Sequence, residues 1–246
     1  MKLKVISTGS IGNAYILYNE NEALLIECGV KIDDIKKALN FDYSKVVGCI
    51  VTHEHLDHCK SANDLMRLGI DVYTGAKTHQ KINGDVIHRA MPIASRETIK
   101  LGNFKIMAFD VSHDAKEPLG FLIEHPECGK TLFLTDTNYC KYTFPELNNI
   151  IIEANYSKSI IDRKYGADSG KEFLRNRILK SHFSLENCKD MLSANDLSKV
   201  NNIVLIHLSD SNSDEVQFVK EVTELTSKNV CAAVNGMEIN FNKTPF

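Results

Sequence analysis

Two apolar runs open the chain, residues 2–7 and 14–18, and between them lies Thr8-Gly9-Ser10-Ile11-Gly12-Asn13, whose small and polar residues mark a loop. A third run, 22–27, follows the turn residues Asn19-Glu20-Asn21, so the opening predicts three strands. Because the glycine loop joins two strands and does not open a helix, it lacks the setting of a dinucleotide-binding loop. Over 31–39 the pattern changes: Ile32, Ile35 and Leu39 fall on one helical face, and 46–51 is then a buried apolar strand. The same reading gives a helix over 61–68, a strand over 70–74, a helix over 76–82 and a polar connection running through Pro92. Residues 104–111 form a strand, and 120–124 pairs with 130–135 as a hairpin across Glu127-Cys128-Gly129. A short buried strand is expected at 150–152, helices at 172–179 and 184–192, a strand at 203–206, a helix at 213–225 and a last strand at 230–234. Ser184 opens its helix with a capping-box pattern displaced by one residue. Strands gathered early and late with helices between them predict an α/β fold. The expected form is two sheets sandwiched by helices, an αββα arrangement, with residues 1–246 in one domain and no internal repeat.

Composition narrows the setting. With 246 residues, 43% hydrophobic and 25% charged, the chain can bury one large core. A formal charge of -3 and a pI near 6.3 exert no global pull toward nucleic acid or anionic lipid, which leaves local patches. Residues 158–180 are such a patch, with seven Lys or Arg against three Asp or Glu. It reads equally as a surface facing an anionic substrate and as a solvated helix face. Lys4 interrupts what would be the apolar part of a signal peptide, and no apolar run reaches the length of a membrane span. A cytoplasmic location without membrane attachment is therefore expected. Seven cysteines, with no CxxC pair, indicate reduced thiols, not a disulfide framework or a cysteine zinc knuckle.

Directly after the strand at 46–51 stands Thr52-His53-Glu54-His55-Leu56-Asp57-His58-Cys59, three histidines and two carboxylates within six residues. Neutral imidazoles and carboxylates are the usual protein ligands of borderline divalent ions, and so dense a cluster is costly to desolvate without a cation. Four ligand candidates at one strand end suggest two ions. Alternation along an extended loop sends His53, His55 and Asp57 to one side and His58 toward a second position. The helical protease signature is absent, because Asp57 occupies the place of its second histidine. Cys59 is expected to be a packing neighbour on the following helix. Later in the chain His113, Asp136 and His207 also stand at or just past the ends of apolar strands, and strand ends at one edge of a sandwich meet in space. His79, His88 and His125 have no such context and read as surface or packing residues.

Thr-His-Glu-His-Leu-Asp-His resembles the HxHxDH signature of the metallo-β-lactamase superfamily. Further matching residues are Ser7 to Asn13, Phe109 to Ala115 with Pro118, Leu134-Thr135-Asp136-Thr137, Glu153-Ala154-Asn155, Leu174 to Ile178, Ser181 to Asn187, and His207-Leu208-Ser209 with Asn212. Over nearly its whole length the chain is similar to the YycJ/WalJ-like branch of that superfamily, related to tRNase Z and the PhnP-type cyclic phosphodiesterases. The resemblance implies the metallo-β-lactamase fold and two divalent ions, zinc or manganese, with iron also suited. One ion is then held by His53, His55 and His113 and the other by Asp57, His58 and His207, with Asp136 bridging. It also sets His182 where phosphodiesterases of the superfamily keep a histidine outside the metal shell, and it implies substrate contacts from Asn13, Asn155, Ser184, Ser209 and Asn212. Two positions depart from the branch. Ser181-His182-Phe183-Ser184 stands where Gly-His-Leu-Ser is usual, and Tyr156 stands where a histidine is usual.

Two ions roughly 4 Å apart can hold a bridging hydroxide at neutral pH and clamp a phosphate. Asp57 would orient that hydroxide, and His182 would give the departing alkoxide its proton. Ser184, Ser209 and Asn212 would donate to the non-bridging oxygens. The expected function is a two-metal phosphodiesterase, foremost a DNA or RNA exonuclease, with a nucleic acid or nucleotide as its partner. A cyclic-nucleotide or cyclic phosphoribosyl phosphodiesterase uses the same centre in a tighter pocket, and a thioester or lactone hydrolase would need neither His182 nor the basic run. A polynucleotide substrate predicts activity that falls steeply with salt, and a small cyclic one does not. A lapsed interaction module would have lost ligands, and none is missing. The oligomeric state, homodimer included, is not legible in the sequence.

Overall fold

In the strand Asn202–Ile206, Ile203 and Leu205 point to one side and Val204 and Ile206 to the other, and all four are buried. Such a strand is covered on both faces, which a run of apolar residues announces without saying what covers it. The computed structural model describes residues 1–82, 84–165, 170 and 172–244 and supplies the answer. Ile203 and Leu205 pack against helices, and Val204 and Ile206 pack against a second sheet.

The first half of the chain runs β1 (Lys2–Ser7), β2 (Ala14–Tyr18), β3 (Ala23–Ile26), α1 (Ile32–Ala38), β4 (Val46–Ile50), α2 (Leu56–Cys59), α3 (Ala62–Arg67), β5 (Val72–Thr74), α4 (Ala76–Ile82) and β6 (Ala90–Pro92). The second half runs β7 (Thr98–Leu101), β8 (Phe104–Asp110), β9 (Leu119–His125), β10 (Gly129–Leu134), β11 (Leu147–Glu153), α5 (Lys158–Tyr165), α6 (Glu172–Ser181), α7 (Leu185–Ser193), β12 (Asn202–Ile206), α8 (Glu215–Thr226), β13 (Asn229–Ala232) and β14 (Glu238–Asn240). One sheet has the order β14-β1-β2-β3-β4-β5-β6, antiparallel as far as β3 and parallel beyond it. The other mirrors it as β13-β12-β11-β10-β9-β8-β7, parallel as far as β10 and antiparallel beyond.

Between the sheets Leu3, Val5, Tyr15, Leu24 and Ile50 meet Phe104, Phe121, Phe133, Ile151 and Ile206. Tyr15 and Phe133 cross edge to face with ring centroids 5.7 Å apart. Helices α1 and α3 cover the outer face of the first sheet through Ile35, Leu65 and Met66, and α7 and α8 cover the second through Leu185, Leu192, Phe218 and Val222. This is the αββα arrangement. The parallel strands aim their carboxyl ends at one rim, where ligands bind in open α/β sheets.

Several short elements escape sequence reading. The expected polar connection through Pro92 holds a single helical turn at Ile87–Arg89 and the edge strand β6. Strands β7 and β14 are short edge strands with few buried residues. Within the basic run, Lys158–Tyr165 is a helix that its sequence did not announce, and residues 166–169 and 171 lie outside the described residues. Among the described residues no helix is long and apolar enough to cross a membrane.

Candidate metal centre

Each residue at the rim hangs from the end of a buried strand: Glu27 after β3, Thr52 to His58 after β4, His113 after β8, Asp136 after β10, Glu153 at the end of β11 and His207 after β12. Glu27, Asp136 and His207 take left-handed backbone conformations, with φ of 62°, 46° and 54°. Such conformations cost side-chain-bearing residues roughly 1–3 kcal/mol each and persist where the surroundings impose them. Here a hydrogen bond holds each one by its own N–H: Glu27 to Ile50 O at 2.9 Å, Asp136 to Glu153 Oε2 at 2.7 Å, and His207 to Thr8 Oγ1 at 3.0 Å.

One donor cluster is made of nitrogen alone. His53 Nε2 lies 3.0 Å and His113 Nε2 3.2 Å from His55 Nδ1. The other nitrogens of two of these rings are tied away from the centre. Thr52 donates its hydroxyl to Glu27 Oε1 at 2.6 Å and lies 2.9 Å from His53 Nδ1, so that it can accept that ring's proton. His113 Nδ1 donates to Ser181 O at 2.8 Å. Both Nε2 atoms therefore turn lone pairs toward His55, an arrangement that suits a cation held among the three rings. Burial, reinforced for His53 by the neighbouring rings, holds the pKa of His53 well below the usual imidazole range and lowers that of His113 too, which keeps them neutral and ready to coordinate.

The second cluster is rich in carboxylates. His58 Nε2 is 2.7 Å from Asp136 Oδ2 and 3.4 Å from Asp57 Oδ2, and His207 Nε2 is 3.7 Å from the same Asp57 oxygen. His58 Nδ1 lies 3.3 Å from Glu27 Oε1 but is not aligned for a hydrogen bond, leaving a buried polar atom without one. Burial opposes charge here, yet Asp136 and the other carboxylates outweigh it. They raise His58 well above its ordinary pKa and hold His207 at about 9, while the His207 and His58 rings keep Asp136 well below its own. The site thus demands positive charge, which a divalent cation supplies in place of those protons. The combined donor set of buried imidazoles and carboxylates suits a divalent ion such as zinc.

The structure brings the expected residues together in the groups His53–His55–His113, Asp57–His58–His207 and His53–His58–Asp136. Asp57 does not converge with His53 and His55 as strand alternation suggested, because the chain turns helical at Leu56 and swings Asp57 toward His58 and His207. Cys59 turns its thiol to Glu54 O at 3.1 Å. His182 stands at the edge of the second cluster, its Nδ1 2.8 Å from Glu153 Oε1 and 2.9 Å from Asp136 Oδ1.

The residues expected to touch substrate fall differently. Ser184 is fully buried and its hydroxyl caps α7 by accepting Asn187 N–H at 3.1 Å. Asn155 donates to His207 O at 2.8 Å, and Asn13 Nδ2 lies 3.3 Å from Asp57 O and 3.4 Å from His58 Nε2. Asn212 is buried too, and Ser209 is half-buried with its N–H donated to Asn155 O. Asn13 and Asn155 thus brace the loops carrying the ligand candidates.

Two residues that sequence reasoning gave no role bind the centre together. Glu27 holds Thr52 and faces His58. Glu153 accepts His182 Nδ1, His207 Nδ1 at 3.1 Å, Asp136 N–H and Phe183 N–H at 3.1 Å. Both end an apolar strand, the same signal that singled out His113, Asp136 and His207.

Over 257 aligned residues the chain is 26% identical to the exodeoxyribonuclease WalJ of Streptococcus pneumoniae, covering 98% of this chain and 92% of that one. Among solved structures it is similar to the metallo-beta-lactamase fold protein YhfI of Bacillus subtilis, at 17% identity and a TM-score of 0.72, with 97% and 98% of the two chains covered. It is likewise similar to the short form of human tRNase Z, at 17% identity and a TM-score of 0.64, covering 98% of this chain and 99% of that one. Residues 24–208 match the beta-lactamase superfamily domain, and with this stretch, the paired sheets and the histidine-rich rim in one molecule, the chain belongs to that family.

Proposed function

We propose that the protein is a metal-dependent phosphodiesterase that acts on nucleic acid as a nuclease, with two divalent ions as its cofactors. His53, His55 and His113 would hold one ion, Asp57, His58 and His207 the other, with Asp136 between them. Ions held by these residues would polarise a phosphate oxygen and lower the pKa of a bound water. The observation that carries the reading is His182. Its Nδ1 is fixed by Glu153 and Asp136, and the side chain remains 26% exposed. Among the described residues Nε2 has no hydrogen-bond partner, so a protonated edge is open to a departing oxygen. In the metal-free protein burial would lower the pKa of this ring, but Glu153 and Asp136 outweigh it and push it up to about 10, the direction a proton donor needs. Asp57, at 30% exposure against 2% for Asp136, is the carboxylate able to orient the attacking water. Similarity to a protein named an exodeoxyribonuclease favours a DNA end as the substrate.

The test is His182→Ala, assayed on a DNA oligonucleotide and on bis(p-nitrophenyl) phosphate. An alkoxide needs a proton on leaving and a nitrophenolate does not. Turnover on DNA should fall by about 10²–10⁴-fold, with the aryl ester nearly unaffected and metal content unchanged. Equal losses on both substrates would remove His182 as the proton donor. Metal-loaded wild type without phosphodiester activity on any substrate would overturn the reading itself.

A further inference from the structure

Glu54 lies between His53 and His55, yet its carboxylate joins none of the donor clusters. It faces the loop that follows β8. Its Oε1 accepts Lys116 N–H at 2.8 Å, and its Oε2 accepts the Thr78 hydroxyl of α4 at 3.3 Å. The same loop reaches back through its next residue. Glu117 Oε2 accepts Lys77 N–H at 2.8 Å, and the side chain lies so close over Gly75 that a Cβ there would come within 2.7 Å of Glu117 Cγ. Where β9 begins, Leu119 N–H donates to Thr52 O at 3.0 Å. The loop is therefore pinned to the first sheet at several points although its strands belong to the second.

That loop carries His113, which alone in the nitrogen cluster comes from the second sheet. His53 and His55 come from the first, on the segment that Glu54 itself occupies. We infer that Glu54 is a positioning residue: its carboxylate fixes the His113 loop to the end of β4, so that one nitrogen from each side meets His55. This inference rests on the metal reading above. A carboxylate accepting a backbone N–H forms a short, charge-assisted bond, and partners that orient metal ligands commonly affect metal affinity by about 10–100-fold. The effect should be confined to one ion. None of Glu54's side-chain hydrogen bonds reaches Asp57, His58 or His207.

Metal-free full-length protein titrated with Zn²⁺ in a calorimeter tests this. Wild type should show two binding steps, and Glu54→Ala should weaken one by about 10–100-fold while the other stays unchanged. His113→Ala should remove that same step, and adding Glu54→Ala to it should do nothing more, since the two residues act as a unit. Equal weakening of both steps, unchanged affinities, or additive effects in the double variant would overturn the assignment. Should Glu54→Ala fail to fold, Glu54→Gln keeps the length and one acceptor, and is expected to give a smaller loss in the same step. Wild type that takes up no ions would refute the metal reading, and the clamp with it. Normal uptake with an unaffected variant refutes the clamp alone.

Discussion

Glu153→Gln exchanges one oxygen for an amide nitrogen at nearly constant volume, and four donors converge on the side chain it alters. Oε2 receives Asp136 N–H at 2.7 Å and Phe183 N–H at 3.1 Å, and Oε1 receives His182 Nδ1 at 2.8 Å and His207 Nδ1 at 3.1 Å. Backbone amides cannot reverse, so the glutamine must turn its oxygen toward them and its NH₂ toward the imidazoles. Those rings must then offer lone pairs at Nδ1 and carry their protons on Nε2, and His207 Nε2 is the atom that belongs with Asp57 and His58. Burial and the Asp136 charge push the Glu153 carboxyl up, but the His182 ring and the bonds it accepts win, so the wild-type group is ionised and its pKa sits below the usual range. Losing two bonds to a charged acceptor costs roughly 3–6 kcal/mol, part of which is offset because a buried charge is expensive in itself. A net destabilisation of about 2–4 kcal/mol follows, with about 10–100-fold weaker metal binding. Urea unfolding of the metal-free protein reads the first quantity, and calorimetric titration with Zn²⁺ reads the second. A variant that unfolds within about 1 kcal/mol of wild type and binds metal with unchanged affinity would refute Glu153 as the residue that keeps a proton on Nδ1 of both imidazoles.

Two further outcomes follow from the packing and the charges. At Gly29 a Cβ would lie 1.7 Å from Asp57 O, so Gly29→Ala must push the ligand loop away; metal titration should show loss of the Asp57–His58–His207 step with the other retained, and two normal steps would contradict this close approach. Burial pushes the Glu22 carboxyl up, but Asn103, through its N–H at 2.8 Å and Nδ2 at 2.7 Å, and His125 at 3.0 Å outweigh it and lower the pKa. The folded value therefore lies below the unfolded one of about 4.3, and the stabilisation is present above that pH and lost as pH falls through the folded value. Urea midpoints of wild type and Glu22→Gln should be separated at neutral pH and converge in acid, as pH falls from about 4.3 through the lower folded value; a gap that persists below it would remove Glu22 as an ionised tie between the sheets.

Much of the architecture was open to reading along the chain because burial on a strand has a period of two and on a helix a period near four. Ile32, Ile35 and Leu39 marked α1, the apolar run before His53 marked β4, and the same kind of run before His113, Asp136 and His207 marked these residues as rim neighbours. That rule reached Glu27 and Glu153 as well, but it could not say what they do. Their partners lie 25 and 54 residues away, at Thr52 and His207, and periodicity describes one element at a time. Strands β6, β7 and β14 stayed hidden because they are three or four residues long and lie at or near sheet edges, where pairing with a neighbour and not their own pattern makes them strands. Side-chain direction was the other thing the chain could not disclose. A single helical turn at Leu56 sent Asp57 away from His53 and His55, and the hydroxyl of Ser184 went to cap a helix. Sequence by itself determined which residues could gather at the rim, since strand ends are written in local pattern. Only the tertiary structure decided which nitrogen faces which carboxylate, because that depends on contacts between segments whose positions no local pattern contains.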